Sequence, residues 1–268
     1  PITFDVVGHL LLSECSGDHD GPHEPGWFDA DPGTDTETDP LYYAPDLVER
    51  IVAAETDHEI CTHTFSHVPC GTVDEAVVDW ELEAARDRHA AFGLDPPTTL
   101  VPPMHSPPPK APLRANGITG VRRPSEYREP VATPEPPGSA LRRVSWQLRQ
   151  PYPVQVLTRS HSARAPRSVD GVVEHYTDWH ASLTAPYLPN GRADPHPSFR
   201  VVPTSLRRAH HERYLHAALR TAVDRSSYVH LWSHLFNLSN EQQWPPVQSF
   251  LESAARRRDR GELTVETM

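Results

Sequence analysis

The sequence predicts an α/β fold, built on a mostly parallel sheet that is open or closed into a barrel. Short β-branched segments bounded by Gly, Pro and Asp recur along the chain, and segments of helical periodicity separate them. The first strand candidate, Phe4 to Leu12, is short, β-branched and largely apolar, as expected of a strand covered on both faces. A chain of 268 residues can bury one full core, so a single domain over 1–268 is expected.

The elements follow in order. After Phe4–Leu12, residues 16–40 hold eight acidic residues and no Lys or Arg, which predicts a solvated acidic loop. Pro45 suits a first helical turn, and Leu47, Ile51 and Val52 give a helical stripe. Glu59–Thr62 reads as the next strand. Thr72 with Glu75 has the form of a capping box that opens a helix through Phe92, stopped by Gly93, with Val77, Trp80 and Ala84 along one side. Thr99–Pro102 and Ile118–Val121 are further strands, joined through the proline-rich SPPPKAP. From Glu126 to Pro203 prolines and charges break the periodicity, and only fragments such as Val154–Leu157 emerge. A helix from Leu206 to Asp224, a strand at Tyr228–Trp232, a helix from Pro245 to Arg260 and a closing strand in ELTVETM complete the prediction.

Composition narrows the function. Acidic residues outnumber basic ones 36 to 25, for a net charge of -11. Such a field repels phosphate backbones, so a nucleic-acid partner is not expected. No apolar run reaches the roughly 20 residues of a membrane span. Lys110 is the only lysine. An acid-rich, lysine-poor surface suits high salt, although a GC-rich genome gives the same Arg bias. Three cysteines (Cys15, Cys61, Cys70) make no disulfide framework. Neither cellular location nor oligomeric state is legible.

The chemistry concentrates in Glu59–His67, EICTHTFSH. His63 and His67, four residues apart at the carboxyl end of a buried strand, can point at one divalent ion, and that end of a strand is where α/β barrels build sites. Chance competes with this reading: the chain has 17 histidines, and His19/His23 repeats the spacing.

The surrounding residues favour the ion. EICTHTFSH resembles the second motif of the polysaccharide deacetylases (the NodB homology domain, carbohydrate esterase family four), H-[ST]-x-x-H after a strand. ITFDVVGHLLL is similar to that family's second strand. YVHLWSHLFNLS resembles its fifth motif, with His234 the better match for the motif histidine and His230 the second. The resemblance implies a distorted (β/α) barrel, here lacking its first strand and first motif. It also implies a hydrolase acting on non-peptide carbon–nitrogen bonds, which removes N-acetyl or O-acetyl groups from a polysaccharide or glycan. In it His63 and His67 would hold a divalent metal, zinc by preference, Thr64 would steady their loop and His234 would protonate the leaving group.

Two departures stand against it. Thr3-Phe4-Asp5 offers one aspartate where the first motif, T-F-D-D-G, has two, so that motif is expected upstream of Pro1. Met104 occupies the position of the third motif's arginine and can neither carry charge nor donate paired hydrogen bonds. A catalytically inactive carbohydrate-binding relative is therefore an alternative. A structural zinc site from Cys61, His63, His67 and Cys70 is another. No G-x-S-x-G elbow supports a serine hydrolase.

Overall fold

The computed structural model describes residues 1–124, 164–177, 182–191 and 193–268. These divide into two compact units, with residues 1–123, 166–175 and 266–268 in the first, and 124, 164–165 and the described residues of 176–265 in the second. The predicted fragment Val154–Leu157 lies outside the described residues.

The first unit holds the sheet. Strands β1 (Thr3–Val6), β2 (Glu59–Thr62), β3 (Thr99–Leu100) and β4 (Gly120–Pro124) run parallel, and the order continues through β6 (Val172–Thr177) to β5 (Arg167–Val169). The α/β class with a parallel-rich sheet holds; among the described residues the end strands β1 and β5 do not pair to close a barrel. β5 and β6 form an antiparallel hairpin across Asp170-Gly171, both at positive φ. That Asp-Gly pair between β-branched residues is a hairpin signal which periodicity alone passes over.

The alternation of side chains along a strand gives the sheet two unlike faces. On one, Val6, Ile60, Leu100 and Val121 meet three helices, α1 (Pro45–Val52), α2 (Glu75–Phe92) and α3 (Lys110–Ala115), through Val48, Val77, Val78, Leu82, Phe92 and Leu113. The other face carries Thr3, Asp5, Glu59, Cys61, Thr99 and Arg122. There Thr3 Oγ1 donates to Glu59 Oε2 at 2.6 Å, Thr99 Oγ1 donates to Glu59 Oε1, and the Met268 backbone N–H reaches Glu59 Oε2 at 2.9 Å. The expected strand in ELTVETM does not form, because its end is held by these side chains rather than by a ladder.

Several boundaries move. β1 stops at Val6 and a 3-10 turn follows at Gly8–Leu11. There the chain crosses α2 so closely that a Cβ on Gly8 would lie 3.2 Å from Ala85 Cα and 3.3 Å from Phe65 Cα. The buried stripe of α1 is Val48, with Leu47 and Val52 exposed. α2 starts after Asp74, so Thr72 forms no capping box; its hydroxyl donates to the Pro69 carbonyl instead. The buried side of α2 runs through Val77, Val78, Glu81, Leu82, Ala85 and His89, displaced from the expected Trp80 and Ala84. Gly93 ends it at φ 86°, as expected of a C-cap glycine.

In the second unit, helices α4 (Pro197–Arg200), α5 (Thr204–Asp224), α6 (Leu235–Leu238) and α7 (Trp244–Asp259) are described. Tyr214, Leu215, Ala218 and Leu219 of α5 pack on Val247 and Phe250 of α7. The predicted strand Tyr228–Trp232 reduces to one bridge, Ser182 to Trp232, with Leu183 N–H donating to the Trp232 carbonyl at 2.9 Å; one pair makes no ladder. Among the described residues no helix is long and apolar enough to cross a membrane.

Two outcomes test this packing. Gly8→Ala forces a methyl against two backbones and should cost about 1–3 kcal/mol in denaturant unfolding. His89 is fully buried, and burial holds its imidazole below the ordinary value despite the nearby Asp95 backbone. It stays neutral in the folded state at pH values where the unfolded state binds a proton, so stability should fall as pH drops below about 6.5. His89→Leu should flatten that slope between pH 7 and 5 in thermal melts.

Candidate metal-binding loop

Residues 62–67 leave β2 at its carboxyl end and are tied down by backbone bonds on both flanks. His63 N–H donates to the Val6 carbonyl at 2.9 Å and Val101 N–H to the Thr62 carbonyl at 3.1 Å. Gly8 N–H and His9 N–H donate to the carbonyls of Thr64 and Phe65 at 2.8 and 3.0 Å. Thr64 and His67 adopt positive φ, 64° and 66°, which for a β-branched residue costs on the order of 1–3 kcal/mol. Thr64 is fully buried; its N–H donates to Thr62 Oγ1 and its own Oγ1 accepts from Val68 N–H at 3.2 Å.

A residue the sequence reading missed clamps the loop from below. Glu81 of α2 is fully buried, and its Oε2 accepts from the N–H groups of Phe65 and Ser66, both at 2.8 Å. Its Oε1 accepts from Ser66 Oγ and lies 2.7 Å from His23 Nε2. Trp27 Nε1 donates to Ser66 Oγ at 2.8 Å, bringing the acidic loop onto the same spot. The available signal was a charged residue one turn beyond Val77 and Val78, on the apolar side of an amphipathic helix.

The two loop imidazoles stand with ring centroids 4.8 Å apart, inclined at 67°. His63 Nδ1 lies 2.6 Å from the Val101 carbonyl, which can only accept, so the proton sits on Nδ1 and the neutral ring leaves a lone pair on Nε2. That arrangement is how a metal-ligating imidazole is usually oriented. Burial drives the His63 pKa down to about 4, with Asp5 opposing and His67 adding to the fall, so the ring is neutral over the ordinary pH range. Asp5 Oδ2 is 3.4 Å from the same Nδ1, placing that carboxylate behind the ring and away from Nε2.

Other predicted residues fall elsewhere. Cys70 packs among Val68, Val77 and Leu82 with its thiol toward the Val68 carbonyl, and burial pushes its pKa up to about 12. It cannot join Cys61, His63 and His67 in a tetrahedral zinc site, and that alternative is corrected. Met104 is exposed at positive φ. The buried guanidinium on this side of the sheet is Arg122, with Nη2 3.4 Å from His105 Nδ1; burial lowers its pKa while Asp5 and Cys61 oppose the fall. His234 lies exposed in the second unit, ahead of α6, with its ring stacked on Phe236 and edge-on to Trp232. His230, in the same unit, accepts at its carbonyl from Thr177 Oγ1 at 3.4 Å.

Residues 9–120 match the family model described as polysaccharide deacetylase. No curated protein matches the chain. A solved protein from Mycobacterium smegmatis, provisionally described as a polysaccharide deacetylase, is 15% identical over 86% of this chain and 72% of its own, with a TM-score of 0.47. A likeness that distant carries no argument about this chain.

Glu81→Gln would replace one of the two accepting oxygens with a donor that faces N–H and O–H groups. Amide exchange at Phe65 and Ser66 should then quicken, with protection falling by roughly 2 kcal/mol; unchanged exchange would show that the loop does not lean on this carboxylate.

Proposed function

We propose that the protein is a hydrolase that removes acetyl groups, N-acetyl in the first instance, from a glycan, a reading supported by the match of residues 9–120 to the polysaccharide deacetylase model. The family points to a hydrolase and a carbohydrate substrate; the metal and the bond cleaved are the finer part of this reading. It rests above all on His63, whose Nδ1–H is committed to a backbone carbonyl so that Nε2 is left to bind a cation beside His67.

The donor set suits a divalent ion that accepts imidazole, zinc first among them. Such an ion would polarise the acetyl carbonyl and lower the pKa of bound water from 15.7 to about 7. The chain's own residues have distinct tasks. His63 and His67 would hold the ion. Thr64 bridges the loop through Val68 and keeps both imidazoles on one side. Asp5, behind His63, sets the orientation of that ring rather than ligating. His234 is assigned the proton delivered to the departing amine. Arg122 supplies buried positive charge near Asp5, in the part that Met104 leaves vacant.

Met104 favours one other reading, a relative that binds glycan without cleaving it. Acetate release from N-acetylated oligosaccharides, with and without chelator, separates the two. Hydrolysis should be lost on chelation, return with zinc, and fall to background in His63→Ala and His67→Ala. Asp5→Asn, an outer-shell change, should weaken metal binding about 10–100-fold. Glycan binding with no acetate release by the metal-loaded protein would leave the binding reading in its place.

A further inference from the structure

Outside the loop of His63 and His67, four side chains of different chemistry converge where the acidic loop returns to the 3-10 turn. His9, Cys15, His19 and Asp31 each offer one donor atom, and these atoms all lie within 4.8 Å of one another. Asp31 Oδ2 is 2.9 Å from His9 Nε2, 2.8 Å from His19 Nε2 and 3.4 Å from Cys15 Sγ, and Cys15 Sγ is 3.5 Å from His9 Nε2. A tetrahedral zinc with bonds of about 2.0–2.3 Å sets its donors roughly 3.3–3.8 Å apart, and these separations of 2.8–3.5 Å lie within about half an ångström of that range.

The outward atoms of His9 and Asp31 are already committed, and the Cys15 thiol itself has a hydroxyl neighbour. His9 Nδ1 lies 3.1 Å from the Tyr42 carbonyl, Asp31 Oδ1 accepts from Gly33 N–H at 3.0 Å, and the Tyr43 hydroxyl sits 3.2 Å from Cys15 Sγ. A carbonyl can only accept, so Nδ1 of His9 carries a proton, and without a second one the ring turns a lone pair on Nε2 toward a carboxylate oxygen. Two lone pairs at 2.9 Å repel. Either a second proton on His9 or a cation among the donors resolves the contact. Cys15 and His19 reach the same carboxylate oxygen, at 3.4 and 2.8 Å, so donor atoms of four residues already face one point, as a cation requires.

We propose that His9, Cys15, His19 and Asp31 bind a zinc-class divalent ion, a site separate from His63 and His67, which fastens the acidic loop to the 3-10 turn. A thiolate, two imidazoles and a carboxylate select zinc or cobalt over calcium or magnesium. The side chains of His9, His19 and Asp31 are 12%, 11% and 7% exposed, and Cys15 and His19 open onto a cleft of about 530 Å³ lined also by Glu14, Asp18, Asp20 and Glu83, a negative approach for a cation. With His9 on the turn and the other three in the loop, the ion cross-links segments 6 to 22 residues apart, and does so whether or not the deacetylase reading holds.

Cobalt titration of the metal-free protein reads the site directly, because thiolate ligation gives a near-ultraviolet charge-transfer band that histidine and carboxylate do not. The band should appear in the wild-type chain, saturate at one equivalent and bleach on adding zinc. It should persist in the Cys61→Ala/Cys70→Ala double variant, where Cys15 is the last thiol, which assigns it without touching the site. It should persist too in His63→Ala/His67→Ala, which abolishes the proposed hydrolysis, and vanish in Cys15→Ser. Absence of the band from the wild-type chain, its loss with Cys61 and Cys70, or its loss with His63 and His67 overturns the proposal.

Discussion

The placement of the histidine loop depends on one buried anion. Glu81 has no solvent around it, and an uncompensated carboxylate in that position would be severely destabilising. Its compensation comes from two loop N–H groups, the Ser66 hydroxyl and His23. The dependence is therefore mutual. The loop adopts unfavourable backbone angles at Thr64 and His67 because those angles aim its amides at the carboxylate, and the carboxylate tolerates burial because the loop is there. Close passage of Gly8 over Ala85 allows the layers to come near enough for this contact.

The same device recurs at both candidate ion sites. In each, a backbone carbonyl takes the Nδ1 proton of a histidine, Val101 for His63 and Tyr42 for His9, and so decides which nitrogen is left as a donor to an ion. The electrostatic settings differ. His63 is neutral because burial outweighs Asp5. At the second cluster burial alone would raise the Asp31 pKa, but hydrogen bonds from Gly33, His19 and Cys15 and the charge of His9 bring it down to about 2. The two sites share no donor residue and differ in chemistry, imidazoles at the first and a thiol, a carboxylate and two imidazoles at the second.

Much of the scaffold was legible because it obeys local rules. Glu59–Thr62 is a strand at the expected residues, Gly93 ends its helix by the expected left-handed turn, and the long C-terminal helices lie within a residue or two of their periodic patterns. The failures were cases where tertiary contacts overrode the local pattern. Thr72 had the letters of a cap, but Cys70–Thr72 is occupied in a 3-10 turn. Tyr228–Trp232 had strand composition but, among the described residues, only the single bridge to Ser182. At the site, His63 and His67 were visible through spacing and through the resemblance around them. Glu81 and the Asp31 cluster were not, since the first breaks the apolar rule of its own helix and the second joins His9, read as part of a strand, to residues up to 22 positions on in a loop read only as solvated.

That stretch is the least expected part of the molecule. Residues 16–40 carry eight acids and no lysine or arginine, so neither ordinary ion pairs within the loop nor an apolar core can organise them. The chain uses imidazoles instead: His9 and His19 on Asp31, and His23 on Glu81, with Phe28 and Trp80 packed at their edges. Imidazole suits this because its two nitrogens can bridge a carboxylate to a backbone carbonyl, and its apolar ring can be buried where an ammonium group cannot. Order in the acidic loop is then linked to order in the histidine loop through shared residues. Phe65 touches both the His9 and His19 rings, and Ser66 receives Trp27 while donating to Glu81. An ion among His9, Cys15, His19 and Asp31 would thus stiffen the surroundings of His63 and His67 without contacting either.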